Sequence, residues 1–423
     1  MNYVLVNHVP FAFGRSATML RTAPAMLADV RAQARALDAV GIRLLVAAPV
    51  LPTNHPAARK CTSGEFNPDD LGFELLHLPV YQSMRDYLRR KEKLVATLTG
   101  HLAAADVAQL GYGGHPMMLG EVAWPVAHEA GAKIVWMFDA VDPFERMRAQ
   151  NQRDRNPVRR LAKGRLVHHK IHFCRHAVAT ADRVIAHHPS IKERFSQAWG
   201  THCTLLEAPL FDGDELPGEE QIAARTATRS DKMRPLRLVT FAPQQPTDPA
   251  DHLVRAVAHC RRLSVPVTVD LIAPAAKAQT YLNRAGELAM SEHVRQIDPP
   301  TDTAAWVNLL EAYDAQVSIA RDGFDERSMS LSMGVGLPTV AYENSATDRQ
   351  IETADAGIVV PQQNVLLLAQ AIIDLHRERR LLNRLGENAW RAGQQRTLQV
   401  NHRRRAEIVI GLANKRSARV AIG

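Results

Sequence analysis

Residues 314–361 read DAQVSIARDGFDERSMSLSMGVGLPTVAYENSATDRQIETADAGIVVP. Ala315 to Ala320 is a short apolar run of strand length that breaks into an acidic, Gly-containing turn, Asp322-Gly323-Phe324-Asp325-Glu326. Beyond the turn, Met329, Met333 and Val335 fall on a helix-like stripe with small Ser330, Ser332 and Gly334 between them, and Gly336-Leu337-Pro338 stops that helix. Thr339 to Tyr342 then reads as the next strand. Strand, acidic turn, short helix and strand make a βαβ unit, and in open α/β sheets ligands bind where loops leave the carboxyl ends of strands. The carboxylates Asp322, Asp325 and Glu326 are therefore placed where a ligand would lie.

Carboxylates suit polyhydroxylated ligands, because each oxygen accepts from a hydroxyl and the ionised form makes those bonds stronger than neutral ones. The plainer alternative is a solvated acidic turn. The order Asp322-Gly323-Phe324, then Gly336-Leu337-Pro338-Thr339-Val340-Ala341, then Gly357-Ile358-Val359-Val360-Pro361 resembles the donor-site segment of the group-one, retaining glycosyltransferases of the GT-B fold. The resemblance implies an α/β fold of GT-B type, with two Rossmann-like α/β/α domains facing an interdomain cleft. It implies a nucleotide-sugar on the second domain, a carbohydrate or lipid-linked acceptor on the first, and no metal or other cofactor.

Carried onto this chain, the resemblance has Asp322, Glu326 and the Gly323 backbone position the donor sugar beside Phe324. Ser328 or Ser330 would touch phosphate or ribose, and Asp139 would lie on the acceptor side. Arg321 and Arg327 flank the acidic turn, as sources of positive charge or as solvated surface groups. Gly14, in the first loop, is a candidate for close backbone approach to the ligand or an ordinary turn glycine. The family also places cations after the first strand of the second domain, to neutralise the departing diphosphate. Here residues 241–249 read FAPQQPTDP and hold neither Arg nor Lys. That departure keeps a reading from another class open: a GT-B-shaped partner or regulator of another transferase, without activity of its own.

At 423 residues, 46% apolar and 23% charged, the chain supports two globular domains. No apolar run approaches the roughly 20 residues of a membrane span, and the N-terminus lacks a basic, cleavable leader, so a cytoplasmic location is expected. Cys61, Cys174, Cys203 and Cys260 stand far apart with no CxxC pair, which points to reduced thiols.

In chain order, Tyr3 to Val6, Ile42 to Val50, Asp106 to Leu110, Lys133 to Phe138 and Ala181 to Ala186 read as strands, with helices over Ala25 to Val40 and Met117 to Ala130, and Leu205 to Leu210 closes the first half. Such alternation argues for a mainly parallel sheet. Residues 213–235 are polar, with Gly, Pro and charges of both signs, and read as a linker between a first domain, 1–212, and a second, 236–385. In the second, Leu236 to Phe241, Val267 to Ile272, Val294 to Ile297, Ala315 to Ala320, Pro338 to Tyr342 and Gly357 to Val360 are the expected strands. Leu366 to Leu385 reads as one amphipathic helix, and 386–423 as a helical segment that crosses back to the first domain.

The net charge of +8 concentrates between Arg146 and Arg175, where ten Arg or Lys face a single Asp154. His168, His169, His172 and His176 lie in the same run, but no carboxylate or Cys partner and no HExxH frame supports a metal site. Only Phe173 interleaves with the charges, so a nucleic-acid stacking platform is not expected. A solvated helix face is the default. The sharper expectation is peripheral contact of 146–175 with an anionic membrane, at the inner face, each cation adding roughly 1 kcal/mol near the surface.

Overall fold

The computed structural model describes residues 1–7, 9–14, 18–81, 84–112, 119–138, 151, 156–187, 189–206, 211–241, 249–300, 302–320, 326–343 and 348–420. The chain divides into two compact units, Met1–Pro209 with Leu398–Gly423, and Leu210–Thr397.

The first unit is built on β1 (Asn2–Val6), β2 (Phe11–Phe13), β3 (Leu20–Arg21), β4 (Arg43–Leu51), β5 (Phe73–Leu78), β6 (Val107–Tyr112), β7 (Lys133–Phe138), β8 (Arg183–Ala186) and β9 (Cys203–Leu205). Their order is β3-β2-β4-β1-β6-β7-β8-β9, with β5 also on β4, and every pair is parallel except β2 with β3. Both faces of this sheet are covered. Tyr3, Leu5, Val135 and Met137 enter one core with Val30 and Leu37 of the helix Pro24–Asp38 and with Val409 and Leu412 of the C-terminal helix Leu398–Val420. Val4, Val6, Trp136 and Phe138 enter the other, with Leu94, Leu98, Val122 and Val126. Successive side chains of a strand point to opposite faces, so a sheet covered on both sides needs continuous apolar strands, and β1 and β7 are that.

The second unit holds β10 (Leu236–Phe241), β11 (Val267–Ile272), β12 (Val294–Ile297), β13 (Ala315–Ser318), β14 (Thr339–Tyr342) and β15 (Gly357–Val360), all parallel, in the order β12-β11-β10-β13-β14-β15. Counted from β10 this is 3-2-1-4-5-6, the doubly wound order. The two crossovers that leave β10 and β13 run in opposite directions and, being right-handed, put their helices on opposite faces. Burial agrees: Leu236 and Leu238 pack with Leu253, Val254 and Val257, whereas Val239 packs with Leu310, Leu331 and Val335.

Two expectations are corrected. Residues 213–235 are not a free linker, since they belong to the second unit and carry the helix Glu219–Arg229. The reason lies in buried arginines that composition cannot reveal. Arg229 donates to the carbonyls of Gly336 (2.9 Å) and Tyr313 (2.8 Å), and Arg225 to those of Val335 and Tyr313, so the polar segment is stapled over the turn that ends the short helix of the signature stretch. Second, Leu366 to Leu385 is not one helix: Val365–Arg377 and Arg379–Gln394 meet at Glu378, whose φ and ψ of −107° and 71° leave helical space. Leu368, Ile372, Leu375, Arg379, Leu382, Gly386 and Ala389 are buried on both sides of that break with unchanged helical spacing, so periodicity carries no trace of it. Of the segment Leu205 to Leu210, residues 207–210 fall outside the described residues.

Candidate functional site

The order of strands in the second unit reverses between β10 and β13, where Leu238 pairs with Ala315 and Val239 with Gln316. Helices leaving on opposite faces open a crevice at the carboxyl ends of these two strands, the place where doubly wound sheets bind ligands. Residues 242–248 follow β10 and residues 321–325 follow β13 shortly after its end. Both segments lie outside the described residues.

The expected site residues fall as follows. Arg321, Asp322, Gly323 and Phe324 lie outside the described residues, as does Asp139, which follows the carboxyl end of β7. Glu326 is the first residue of the helix Glu326–Gly334. Ser328 and Ser330 sit in that helix and are buried, and the Ser330 hydroxyl accepts from Arg396 Nη1 at 3.1 Å, so it is held by the protein's own interior. Gly14 is far along the chain, in the first unit; its N–H donates to the Met19 carbonyl at 2.7 Å, and a Cβ there would stand 2.8 Å from the carboxyl carbon of Glu65. The structure thus brings Glu326, Ser328 and Ser330 together on one helix below the crevice and leaves Gly14 in the other unit.

The helix Glu326–Gly334 is buried from Ser328 onward, on every face, which its short Ser side chains permit. Close approach continues at its end, where Gly336 takes a left-handed φ of 70° and turns the chain into β14. Its N-terminus points to the switch edge and offers backbone N–H groups to a ligand, with the positive end of the helix dipole.

Two pairs of side chains at this edge carry no motif. Phe241, the last residue of β10, stacks on Trp306 with ring centroids 5.5 Å apart and planes 26° apart. Tyr342, the last residue of β14, places its hydroxyl 3.0 Å from Nδ1 of His252, and the rings meet at 89°. His252 lies in the first turn of the helix Ala250–Arg262, which follows the 242–248 segment. The one sequence signal is positional: Phe241 and Tyr342 each end a strand.

Acidic and basic groups nearby are largely spoken for. Asp251, in the same first turn, is bridged by Arg255 at 3.3 Å and by Arg284. Asp270 accepts both guanidinium nitrogens of Arg295 at 2.9 Å and the Tyr313 hydroxyl at 2.9 Å; burial and that bond to Asp270 push the Tyr313 phenol well above its ordinary range. Burial lowers Arg229 to about 9 and Arg225 to about 10, with Asp314 opposing.

No known protein family matches the sequence, and no curated protein matches it. Solved structures do. Sucrose-phosphate synthase from Thermosynechococcus elongatus aligns over 98% of this chain and 99% of its own, with a TM-score of 0.61 at 14% identity. HepE from Anabaena, in complex with UDP, covers 97% of this chain and 100% of its own at a TM-score of 0.61 and 16% identity. WaaG, a glycosyltransferase involved in lipopolysaccharide biosynthesis, covers the same shares, 97% and 100%, at 0.56 and 16%. The fold is GT-B.

In the first unit, the part of the basic run from Arg159 to Arg175 lies in the helix Pro157–Thr180, and Arg146, Arg148, Arg153 and Arg155 lie outside the described residues. Val167, Cys174, Ala177 and Val178 bury one side of its second half, and Lys170 goes inside with them. Burial lowers the Lys170 pKa while Glu121 opposes, and burial raises that of Glu121. The first half differs, because residues 157–166 are exposed apart from a half-buried Gly164, and Val158 and Leu161 are 74% and 62% exposed beside Arg159, Arg160 and Lys163. Of its histidines, His176 packs edge-on against Trp124 at 5.3 Å. Among the described residues no three His, Cys, Asp or Glu gather as a metal-binding group, and no described helix is long and apolar enough to cross a membrane.

Proposed function

We propose that this chain is a glycosyltransferase that moves a sugar from a nucleotide-sugar donor, bound by the second unit, to a carbohydrate or lipid-linked acceptor bound by the first, in glycan or polysaccharide assembly. One observation carries the reading: the strand order reverses between β10 and β13, and the sequence that follows β13 bears Asp322 and Asp325. Ionised carboxylates there accept from sugar hydroxyls. The helix N-termini that follow residues 242–248 and 321–325 favour the charge that builds on a departing diphosphate. Solved structures of the same fold support the ligand class, since HepE is captured with UDP and with UDP-glucose. The chemistry proposed is retaining, with leaving-group stabilisation and positioning as its basis and no metal required. The exposed basic half of Pro157–Thr180 is proposed to hold the protein against anionic lipid.

Calorimetric titration with uridine and guanosine diphosphates and their sugars tests the donor site. Binding below the millimolar range is expected, together with a product that keeps the donor's anomeric configuration by NMR. Asp322→Asn is expected to lower the transfer rate about a hundredfold, as for loss of one strong transition-state contact. No binding of any such nucleotide at millimolar concentration would overturn the reading. It would favour a partner without transfer activity, which the want of Arg and Lys in residues 241–249 already supports.

A further inference from the structure

A cavity of about 310 Å³ lies at the carboxyl end of the first sheet, among Pro10 beyond β1, Leu51 at the end of β4, Pro79 beyond β5 and the helices Met84–Leu102 and Leu119–Glu129. Ligand cavities favour this end of an open parallel sheet, and the volume falls at the lower end of the usual range. Its floor is hydrocarbon, with Leu51, Leu94 and Val122 at 3%, 1% and 8% exposure. Tyr81 and Tyr87 meet edge to face on its wall, 5.6 Å between centroids, and the Tyr81 hydroxyl is satisfied by the Arg90 carbonyl at 3.2 Å.

The polar end has one sign of hydrogen-bonding capacity. His55 is half-buried, and its Nδ1 accepts the Ala57 N–H at 3.2 Å, so the neutral ring carries its proton on Nε2 and offers a donor there. Lys60, exposed at the solvent side, offers donors only. Among the described residues that line the cavity there is no Asp, Glu, Asn or Gln. A hydrocarbon floor with His55 and Lys60 as side-chain donors at its mouth matches a ligand whose tail is apolar and whose head is an acceptor with several oxygens.

We propose that this cavity binds a hydrocarbon phosphate, the chain against Leu51, Leu94 and Val122 and the phosphate against His55 and Lys60. At about 30 Å³ per water-sized group, the volume takes a chain of roughly ten carbon atoms. The proposal deepens the acceptor side of the transferase reading and rests on it only for the ligand's part in transfer, because the binding follows from the lining.

Calorimetric titration of the full chain with decyl phosphate, below its micelle-forming concentration, is the test. One site is expected, about tenfold tighter than for decanol and for ethyl phosphate. Lys60→Gln is expected to remove the preference over decanol while decanol binding is unchanged, and Val122→Trp, which fills the floor, to remove the preference over ethyl phosphate. Because the Trp variant could fail to fold, a photoreactive decyl phosphate is used on the unaltered chain and is expected to label peptides containing Tyr81, Tyr87 or Leu119. Equal binding of decyl and ethyl phosphate, undiminished preference in Lys60→Gln, or labelling confined to other peptides would each overturn the proposal. Titration with UDP-glucose in parallel separates the two readings: a chain that binds the nucleotide sugar and not decyl phosphate keeps the donor site and loses this one, and the reverse outcome does the opposite.

Discussion

Gly393 shows how little room surrounds the helix of the signature stretch. A Cβ on it would stand 2.6 Å from both Cα and N of Gly334 and 2.8 Å from the Met333 carbonyl carbon. These are backbone atoms, which cannot rotate aside, so Gly393→Ala must push the helices Glu326–Gly334 and Arg379–Gln394 apart. Overpacking of this kind costs about 1–3 kcal/mol, and the expected result is a melting temperature lower by several degrees, on the order of 2–4 °C per kcal/mol. Differential scanning calorimetry checks it; an unchanged transition would mean that the two helices are not in this contact. In the first unit His402 makes a pH prediction. Its Nε2 lies 2.9 Å from Asp29 Oδ1, and its Nδ1 is buried without a hydrogen-bond partner. Burial lowers its pKa, Arg405 and His187 lower it further, and Asp29 pulls the other way without prevailing. Burial raises Asp29, but His402 and Arg405 more than offset this and hold it to about 2, so it stays ionised from pH 7 to 5. With His402 depressed below the unfolded value of about 6.5, the unfolded chain takes up the proton first as pH falls. The stability that neutral His402 supports is therefore present above about pH 6.5 and is lost below it. Thermal unfolding of the wild type is expected to move down between pH 7 and 5, and that of His402→Gln to move less; parallel slopes would rule out His402 as the source.

At the scale of the element, the exposed half of Pro157–Thr180 joins cations to bare apolar side chains, an arrangement suited to lying in a membrane interface. With each cation contributing about 1 kcal/mol near an anionic surface, replacing Arg159, Arg160, Lys163 and Arg165 by Ser is expected to weaken binding to phosphatidylserine vesicles about a hundredfold or more. Wild-type binding should fall with added salt. Co-sedimentation measures both, and equal sedimentation of the variant would sink the membrane reading. Elements differed in how well they could be read. Leu236–Phe241, Val267–Ile272, Val294–Ile297 and Gly357–Val360 agree with the sequence reading to the residue, because turn residues mark an end of each: Pro235 and Pro266 precede the first two, and Asp298 and Pro361 follow the last two. Phe73–Leu78 went unread: its Glu74, Leu75 and Leu76 are half-buried and His77 exposed, so neither alternation nor a continuous run marks it. The helix break at Glu378 was invisible for the reason given by its unbroken spacing. The candidate site was legible only in part. Turn composition placed carboxylates after β13, but His252, Tyr342, Phe241 and Trp306 meet through strand order, which single-segment patterns do not contain.

For the molecule as a whole, the C-terminal helix decides which part of the chain can stand alone. Leu398–Val420 belongs to the first unit, where Ala406, Val409 and Leu412 complete a core with Tyr3, Leu5 and Val30, and Arg405 Nη1 reaches Gln33 Oε1 at 3.3 Å. The second unit closes at Thr397 with its six strands and their helices all inside it. Residues 210–397 contain their own buried core and are expected to fold when expressed alone, with a cooperative urea transition and with whatever nucleotide affinity the full chain shows, since the crevice between β10 and β13 lies wholly within them. Residues 1–209 without the helix leave Val409 and Leu412 missing from their core; removing two such side chains costs about 2–5 kcal/mol each, a large share of the 5–15 kcal/mol that holds a domain together. That fragment is expected to be unfolded or molten by near-ultraviolet circular dichroism and to regain structure when a peptide of residues 398–420 is added. A well-folded 1–209 fragment, or a 210–397 fragment that unfolds without cooperativity, would show that the helix is not what completes the first unit and that the second depends on more than its own sheet.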